Sequence, residues 1–177
     1  MGAFDVTTKG ILHIVLEKCE YWCLSDKKGK PLGVVGWCPS QAVTFIENHD
    51  TGSTQGHWRF TAGKEMQGQA YILTHLGTPV VFYDHLFSNN CEGISSLIVV
   101  TKHARINCCS VIQIVKGERD VYASKIDERV LVKIGSGHYQ PPNSSKWNIA
   151  TEGPYYKIWD ALCEFICFYI RGSLSRV

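Results

Sequence analysis

The chain has 177 residues, of which 45% are hydrophobic, and its 18 basic and 16 acidic residues give a formal net charge of +2. Because the charges nearly balance and the basic residues are scattered along the chain, we expect no nucleic-acid partner. The longest apolar run, "ALCEFICFYI" near the C-terminus, has about half of the roughly 20 residues that a membrane-spanning helix needs, and it contains Glu164. We therefore expect no membrane partner either.

Eight cysteines are many for this length, and they allow three interpretations: disulfides, zinc ligands or free thiols. A disulfide framework is typical of short secreted chains with a signal peptide, whereas "MGAFDVTTKG" has neither a cationic leader nor an apolar core. The pairs Cys19–Cys23 and Cys163–Cys167 lack the C-x2-C spacing and the nearby histidines of zinc sites. We expect reduced, unligated thiols and an intracellular location.

The first 107 residues alternate between strand and helix patterns. In chain order we predict a short strand at "GAFDV", a helix over "TTKGILHIVLEKCEYW", a strand at "AVTFI" (42–46), a helix over "GKEMQGQAYILTHLG", a strand at "PVVFY" (79–83) and a helix over "EGISSLIVVTKHARI". The two continuous apolar runs are typical of strands buried on both faces of a parallel sheet. With the helix between them they predict a βαβ unit with a right-handed crossover.

From Ser110 onward the pattern changes to short segments of alternating hydrophobicity. These are "SVIQIVK", "DVYASKI", "RVLVKIG", "WNIAT" and "YYKIWD", with Asp127-Glu128 as a hairpin turn. We predict a fold of the α/β plus all-β class, with an α/β domain over 1–107 and an antiparallel β-sheet domain over 108–160. So few parallel strands leave an unpaired sheet edge, which predicts that the α/β domain is part of something larger.

Polar side chains gather where the predicted parallel strands end. They are Glu47, Asn48, His49, Asp50, Gln55, His57, Asp84 and His85. Chemistry in α/β folds collects beyond the carboxyl ends of strands, so this cluster predicts a site, although helix caps and closed turns are the alternative for each residue.

The sequence predicts where this site lies more clearly than it predicts which reaction or ligand the site serves. A divalent cation held by His49, Asp50, Asp84 and His85 is conceivable, but we expect no metal here. The chain has no G-x-S-x-G nucleophile elbow and no phosphate-binding glycine motif. Aromatic side chains among amide, imidazole and carboxylate groups favour a sugar ligand. Trp58, between two polar residues in a polar loop, is the tryptophan hardest to assign to a core.

The segments "FIENHDTGSTQGHWRF" and "QGQAYILTHLGTPVVFYDH" closely resemble plant alpha-amylases, which are (β/α)8-barrel glycoside hydrolases that cut α-1,4-glucans internally. "AFDVTTKGIL", "GKPLGVVGW", "ERDVYASKIDERVLVKIGSGHYQPPN" and "YKIWD" match the family in the same order. The resemblance therefore extends over about residues 3–160. Because "TQGHWRF" is most similar to the plastid-type branch, a plastid or cytoplasmic location is expected.

The resemblance implies a place in the family fold for each segment. "AFDVT" corresponds to barrel strand six, "NHD" to the end of strand seven and "GTPVVFYDH" to strand eight, so 1–107 is an incomplete C-terminal part of the barrel. Asp50 resembles the carboxylate that stabilises the oxocarbenium-like transition state, and His49 resembles the histidine that hydrogen-bonds the same sugar. Substrate contacts are expected from Gln55 and Trp58 and, in the β-sheet domain, from Tyr139.

Some functional groups of the family have no counterpart in this chain. A retaining glycosidase needs a nucleophile and a general acid, and the family carries them on strands four and five. Glu47 does not replace them, because strand alternation directs it to the face opposite Asp50. We expect the chain to be inactive alone; the alternative is a non-catalytic starch-binding or interaction module. The family binds calcium through ligands that lie mainly in the missing segments, and a complementary barrel fragment is a further expected partner.

The last residues depart from the resemblance. Residues 161–177 have no counterpart in the family. Both an amphipathic helix and an altered reading frame are compatible with their sequence.

Overall fold

The structure, a computed structural model, describes residues 2–52, 56–87 and 90–161. The first part contains strands β1 (Ala3–Phe4), β2 (Ala42–Thr44) and β3 (Thr78–Pro79), and helices α1 (Val6–Lys18), α2 (Val34–Trp37), α3 (Glu65–Thr74), α4 (Tyr83–Leu86) and α5 (Cys91–Ala104). The second part contains strands β4 (Ile112–Gly117), β5 (Tyr122–Ile126), β6 (Val130–Ile134), β7 (Asn148–Gly153) and β8 (Tyr156–Asp160). Short 3-10 helices occupy Tyr21–Leu24, Pro39–Gln41 and Ser144–Lys146.

The three short strands of the first part form a parallel sheet in the order β1-β2-β3. Val43 of the central strand is in register with Phe4 on one side and with Thr78 on the other. The two strands predicted at 42–46 and 79–83 are shorter in the structure, because pairing ends with the 2.8 Å bond from the Val80 N–H to the Thr44 carbonyl. β3 lies at a sheet edge and is not buried on both faces as expected.

Helix α1 begins at a buried aspartate. Asp5 caps the helix by accepting a 2.9 Å hydrogen bond from the Thr8 backbone N–H, which is one of the donors that a helix start leaves unpaired. Its other oxygen accepts a 2.7 Å bond from the Val35 N–H at the start of α2. One carboxylate thus holds the first strand–helix turn and α2 together directly behind β2.

The second part is a five-stranded antiparallel sheet in the order β4-β5-β6-β8-β7. The predicted hairpin turn lies between β5 and β6, where Asp127 and Glu128 have φ values of 50° and 56°. Ile126 pairs with Val130, so the connection has three residues, and the two consecutive positive φ values allow it to close with the right-handed twist of the strands. Each of the five predicted strand segments overlaps an observed strand.

Both parts share one apolar core. Buried side chains of α1, α3 and α5 belong to the same cluster as buried side chains of β5, β6 and β8; examples are Leu16, Ile72, Leu97, Val132 and Ile158. The sheet packs mainly on α3 and α5, which also pack on each other. The antiparallel sheet is therefore joined to the helical part by buried surface as well as by the chain.

Across the described ranges, no helix combines the length and apolar character required to cross a lipid bilayer. The non-family tail over 161–177 lies almost wholly outside the described residues, since these end at Ala161.

Candidate functional site

The predicted strand-end cluster lies beyond the carboxyl end of β2, the central strand of the parallel sheet. Phe45 and Ile46 follow the strand and are buried. The chain then reaches Glu47, which is also buried, and turns at Asn48. The buried carboxylate of Glu47 and the exposed carboxylate of Asp50 are therefore only three residues apart, but they have different neighbours.

The exposed carboxylate belongs to Asp50, in a turn organised by Asn48. The Asn48 side-chain oxygen accepts hydrogen bonds from the backbone N–H groups of Asp50 (3.1 Å) and Thr51 (3.0 Å). The side chains of His49 and Asp50 are 84% and 72% exposed, and the imidazole Nε2 lies 3.2 Å from the Asp50 Oδ1. The turn thus presents an imidazole and a carboxylate side by side at the strand end, where both are free to contact a ligand.

The buried carboxylate of Glu47 connects three segments of the chain. One oxygen accepts a 2.5 Å hydrogen bond from the Phe60 backbone N–H, and the other lies 2.9 Å from the Nε2 of His85 in α4. The Nδ1 of His85 is in turn 3.1 Å from the side-chain nitrogen of Gln69 in α3. Burial opposes ionisation of Glu47, but the hydrogen bonds from His85 and Phe60 and the nearby positive charge of Lys9 outweigh it and lower the pKa.

Lys9 is a fully buried lysine on α1 that faces the same loop. Its ammonium donates a 2.9 Å hydrogen bond to the Trp58 carbonyl and lies 3.9 Å from the centre of the indole ring. Burial lowers the pKa of Lys9 to about 8, and the charge of Glu47 acts in the opposite direction. The Trp58 backbone N–H also donates a 3.3 Å hydrogen bond to the Thr51 carbonyl, so Trp58 is held next to the Asp50 turn.

The Trp58 side chain therefore packs against helix α1. Its ring meets Lys9 and packs beside Gly10, where an added Cβ would lie 3.3 Å from the indole. The side chain is half-buried. The role of Trp58 as a substrate contact stays a prediction, as does that of Gln55, which lies outside the described residues.

Tyr139 lies elsewhere, in a cleft of the antiparallel sheet with a volume of about 290 Å³. The lining residues all come from the second part of the chain: Lys133, Ser136, Gly137, His138, Tyr139, Glu152, Gly153, Tyr155, Tyr156, Lys157 and Trp159. The rings of Tyr139 and Trp159 meet edge to face with centroids 6.3 Å apart. Burial raises the pKa of the Tyr139 hydroxyl. The strand-end residues and Tyr139 thus belong to two separate places.

Sequence reasoning found the exposed pair but not the buried network behind it. Glu47 and His85 were recognised as polar strand-end groups, yet nothing in their spacing indicated that they contact each other across 38 positions. In sequence Lys9 looks like an ordinary solvent-facing residue of α1, and its position next to Gly10 does not indicate a contact with Trp58.

Within the described ranges, no group of three or more histidine, cysteine, aspartate or glutamate side chains is arranged to hold a metal ion. Calcium binding stays an expectation from the family resemblance, with its ligands expected mainly in segments that this chain does not include.

Comparison with known proteins defines the class of the antiparallel sheet. Residues 103–160 match the alpha-amylase C-terminal beta-sheet domain. The chain is 66% identical over 160 residues to "Alpha-amylase 3, chloroplastic" of Arabidopsis thaliana, a match that covers 90% of this chain and 18% of that protein. It is 46% identical over 161 residues to "Probable alpha-amylase 2" of the same plant, with 89% of this chain and 38% of that protein covered.

A third relative is covered completely. The chain is 40% identical over 155 residues to the "Alpha-amylase type B isozyme" sequence of Hordeum vulgare, with 86% of this chain and 100% of that sequence matched. The chain belongs to the alpha-amylase family. It spans less than two fifths of the length of the two Arabidopsis relatives.

Proposed function

We propose that these 177 residues form the C-terminal portion of an alpha-amylase that hydrolyses internal α-1,4-glucosidic bonds of starch. In this proposal β1, β2 and β3 are strands six to eight of an incomplete (β/α)8 barrel, and the antiparallel sheet over 108–160 is the C-terminal domain. The observation that carries the proposal is the exposed Asp50 carboxylate beyond the carboxyl end of a parallel strand, in a chain that matches plant alpha-amylases over nearly its whole length.

Asp50 acts in this proposal as the transition-state-stabilising carboxylate. Cleavage of a glycosidic bond builds positive charge on the sugar ring, and a fixed carboxylate stabilises that charge more than it stabilises the neutral substrate. Asn48 fixes the backbone of the turn, and His49 at 3.2 Å orients the carboxylate and contacts the same sugar. We assign the nucleophile and the general acid to barrel strands that these residues do not include, so the 177-residue chain is inactive alone.

The first test measures sugar release directly. Purified 1–177 incubated with soluble starch is expected to release no reducing ends above a heat-treated sample, because no covalent intermediate forms without a nucleophile. Starch hydrolysis by the chain that disappears in Asp50→Ala would overturn the claim of inactivity.

Complementation tests the role of Asp50. Co-expression with a fragment that carries strands one to five of a plant alpha-amylase barrel is expected to give measurable hydrolysis. Asp50→Asn should lower that activity about 10²–10³-fold, the usual cost of removing one electrostatic contact to a transition state. Glu17→Gln, an exposed carboxylate on α1, is the matched control and should leave it unchanged. Equal activity of Asp50→Asn and the parent would contradict the assignment.

The cleft around Tyr139 favours a second candidate function, a non-catalytic starch-binding module. Sugar rings bind to flat aromatic faces bordered by polar groups, and the cleft offers Tyr139 and Trp159 beside the 2.6 Å ion pair of Lys157 with Glu152. The two candidates do not exclude each other, since a family enzyme can hold glucan at a distance from its reacting bond.

Binding to insoluble starch tests this candidate without any need for activity. Tyr139→Ala is expected to weaken binding about tenfold, or ~1.4 kcal/mol, because the ring supplies much of the apolar contact area. Trp22→Ala removes an exposed aromatic ring outside the cleft and should change nothing. Sedimentation with starch granules measures both variants, and equal binding of Tyr139→Ala and the parent would exclude the cleft.

We also propose a plastid location, with the cytoplasm as the alternative. The support is the 66% identity to a relative that is named chloroplastic.

A further inference from the structure

Cys108 and Cys109 occupy the turn that joins α5 to β4. The Ser110 N–H donates a 3.1 Å bond to the Asn107 carbonyl and closes a four-residue turn with the two cysteines at its centre. The Asn107 side-chain oxygen accepts a 2.9 Å bond from the Cys109 N–H, and the Ser110 hydroxyl accepts a 3.1 Å bond from the Asn107 N–H. The turn is therefore held by its own polar groups, which leaves both thiols outside its hydrogen bonding.

The two sulfur atoms are in contact at 3.9 Å, and both thiols are free. Cys109 is exposed and Cys108 is half-buried. Among the cysteines of the described ranges this is the one pair whose sulfurs touch: Cys19 contacts the Leu16 carbonyl and Cys38 contacts the Ser40 hydroxyl. Two adjacent thiols open to solvent form a bidentate sulfur site, which a single cysteine does not.

We propose that Cys108 and Cys109 are a vicinal dithiol that reacts with small-molecule disulfides and closes to a disulfide between adjacent residues. One thiolate attacks the external disulfide, forms a mixed disulfide and releases a first thiol. The neighbouring thiolate then attacks the bonded protein sulfur and releases a second thiol. The two protein thiols lose two protons and two electrons, and the external disulfide takes them up as two thiols.

Backbone geometry makes the product easy to reduce again. Adjacent Cα atoms are ~3.8 Å apart across a trans peptide, below the range of about 4.4–6.8 Å found for ordinary disulfides. Strained disulfides have more oxidising potentials and belong to the labile class. The Cys108 sulfur also raises the pKa of the Cys109 thiol, mainly through their hydrogen bond, so the sulfurs interact already in the reduced state.

The sequence provides an internal control for the test. Trypsin releases residues 106–116, "INCCSVIQIVK", which carry these two cysteines, and residues 19–27, "CEYWCLSDK", which carry Cys19 and Cys23. The reduced 177-residue chain is incubated with oxidised glutathione, alkylated, digested and weighed by mass spectrometry. Peptide 106–116 is expected two hydrogens lighter and unalkylated, and at least tenfold more oxidised than peptide 19–27; dithiothreitol should reverse the change.

Variants separate the two steps. Cys109→Ser should stop at a glutathione adduct on Cys108, whereas Cys91→Ser, which removes an exposed cysteine on α5, should leave ring closure unchanged. Recovery of 106–116 fully alkylated, or with glutathione on either cysteine but no internal bond, would overturn the proposal. Equal oxidation of the two peptides would do so as well, because the juxtaposition in the turn would then confer nothing.

Discussion

Glu47→Ala is expected to lower the free energy of unfolding by about 1.5–3 kcal/mol, because it removes a charged acceptor from buried hydrogen bonds. The substitution removes the oxygens that the Phe60 N–H and His85 contact, and it takes the nearby negative charge away from the buried Lys9. Urea unfolding of the 177-residue chain measures the change. His49→Ala removes a side chain that is 84% exposed and is the control, with an expected loss below about 0.5 kcal/mol.

Glu47→Gln separates the shape of this side chain from its charge. The amide keeps an acceptor for the Phe60 N–H but loses the negative charge, so we expect a smaller loss than for alanine. Because the folded pKa of Glu47 lies below its unfolded value of about 4.3, the stability it contributes is present above that pH and is lost as the pH falls through the folded pKa. The glutamine variant should lose less stability on acidification through this window. Parallel stability curves for the two proteins would contradict a lowered pKa of Glu47 in the folded protein.

Acidification from pH 7 to pH 5 is expected to cost the protein about 2 kcal/mol through a second buried group, His75. The imidazole is stacked on Tyr71 with ring centres 3.8 Å apart, and its Nε2 is 2.7 Å from the Tyr122 hydroxyl. Burial lowers the pKa of His75 to about 3, whereas an unfolded histidine titrates near 6.5. Between these values the unfolded chain binds a proton that the folded chain does not, so stability falls as the pH falls, by up to ~1.4 kcal/mol per pH unit.

The His75 prediction is tested by the pH dependence of the difference between two proteins. His75→Gln retains a polar side chain that does not titrate, so its stability should fall about 2 kcal/mol less than that of the parent between pH 7 and pH 5. His57→Gln replaces an exposed histidine and should follow the parent. If His75→Gln and the parent lose the same stability, His75 is not neutral in the folded protein.

The elements of the fold were predictable where local sequence decides them. The alternating segments after Ser110 became five strands, and Asp127-Glu128 became the hairpin turn, because strand alternation and turn residues act over a few positions. The short length of β3 was not predictable, since the sequence does not tell where backbone pairing with a neighbour stops.

The candidate site divides in the same way. The exposed His49–Asp50 pair follows directly from a strand and a polar turn, and the family resemblance supplied its proposed role. The contact of Glu47 with His85 and that of His75 with Tyr122 join positions 38 and 47 residues apart, and both need the packed tertiary structure. Their partners are ordinary residues in sequence, so no local pattern distinguishes them from solvent-facing ones.

The shared core of the helices and the antiparallel sheet has a consequence for modularity. Side chains of α3 and α5 are covered by β6, β7 and β8. Removal of residues 108–161 would therefore expose a continuous apolar surface on the remaining helices. We therefore expect neither the helical part nor the antiparallel sheet to keep its structure when it is moved alone into another protein. A chimaera built from this chain should exchange the helices and the sheet together.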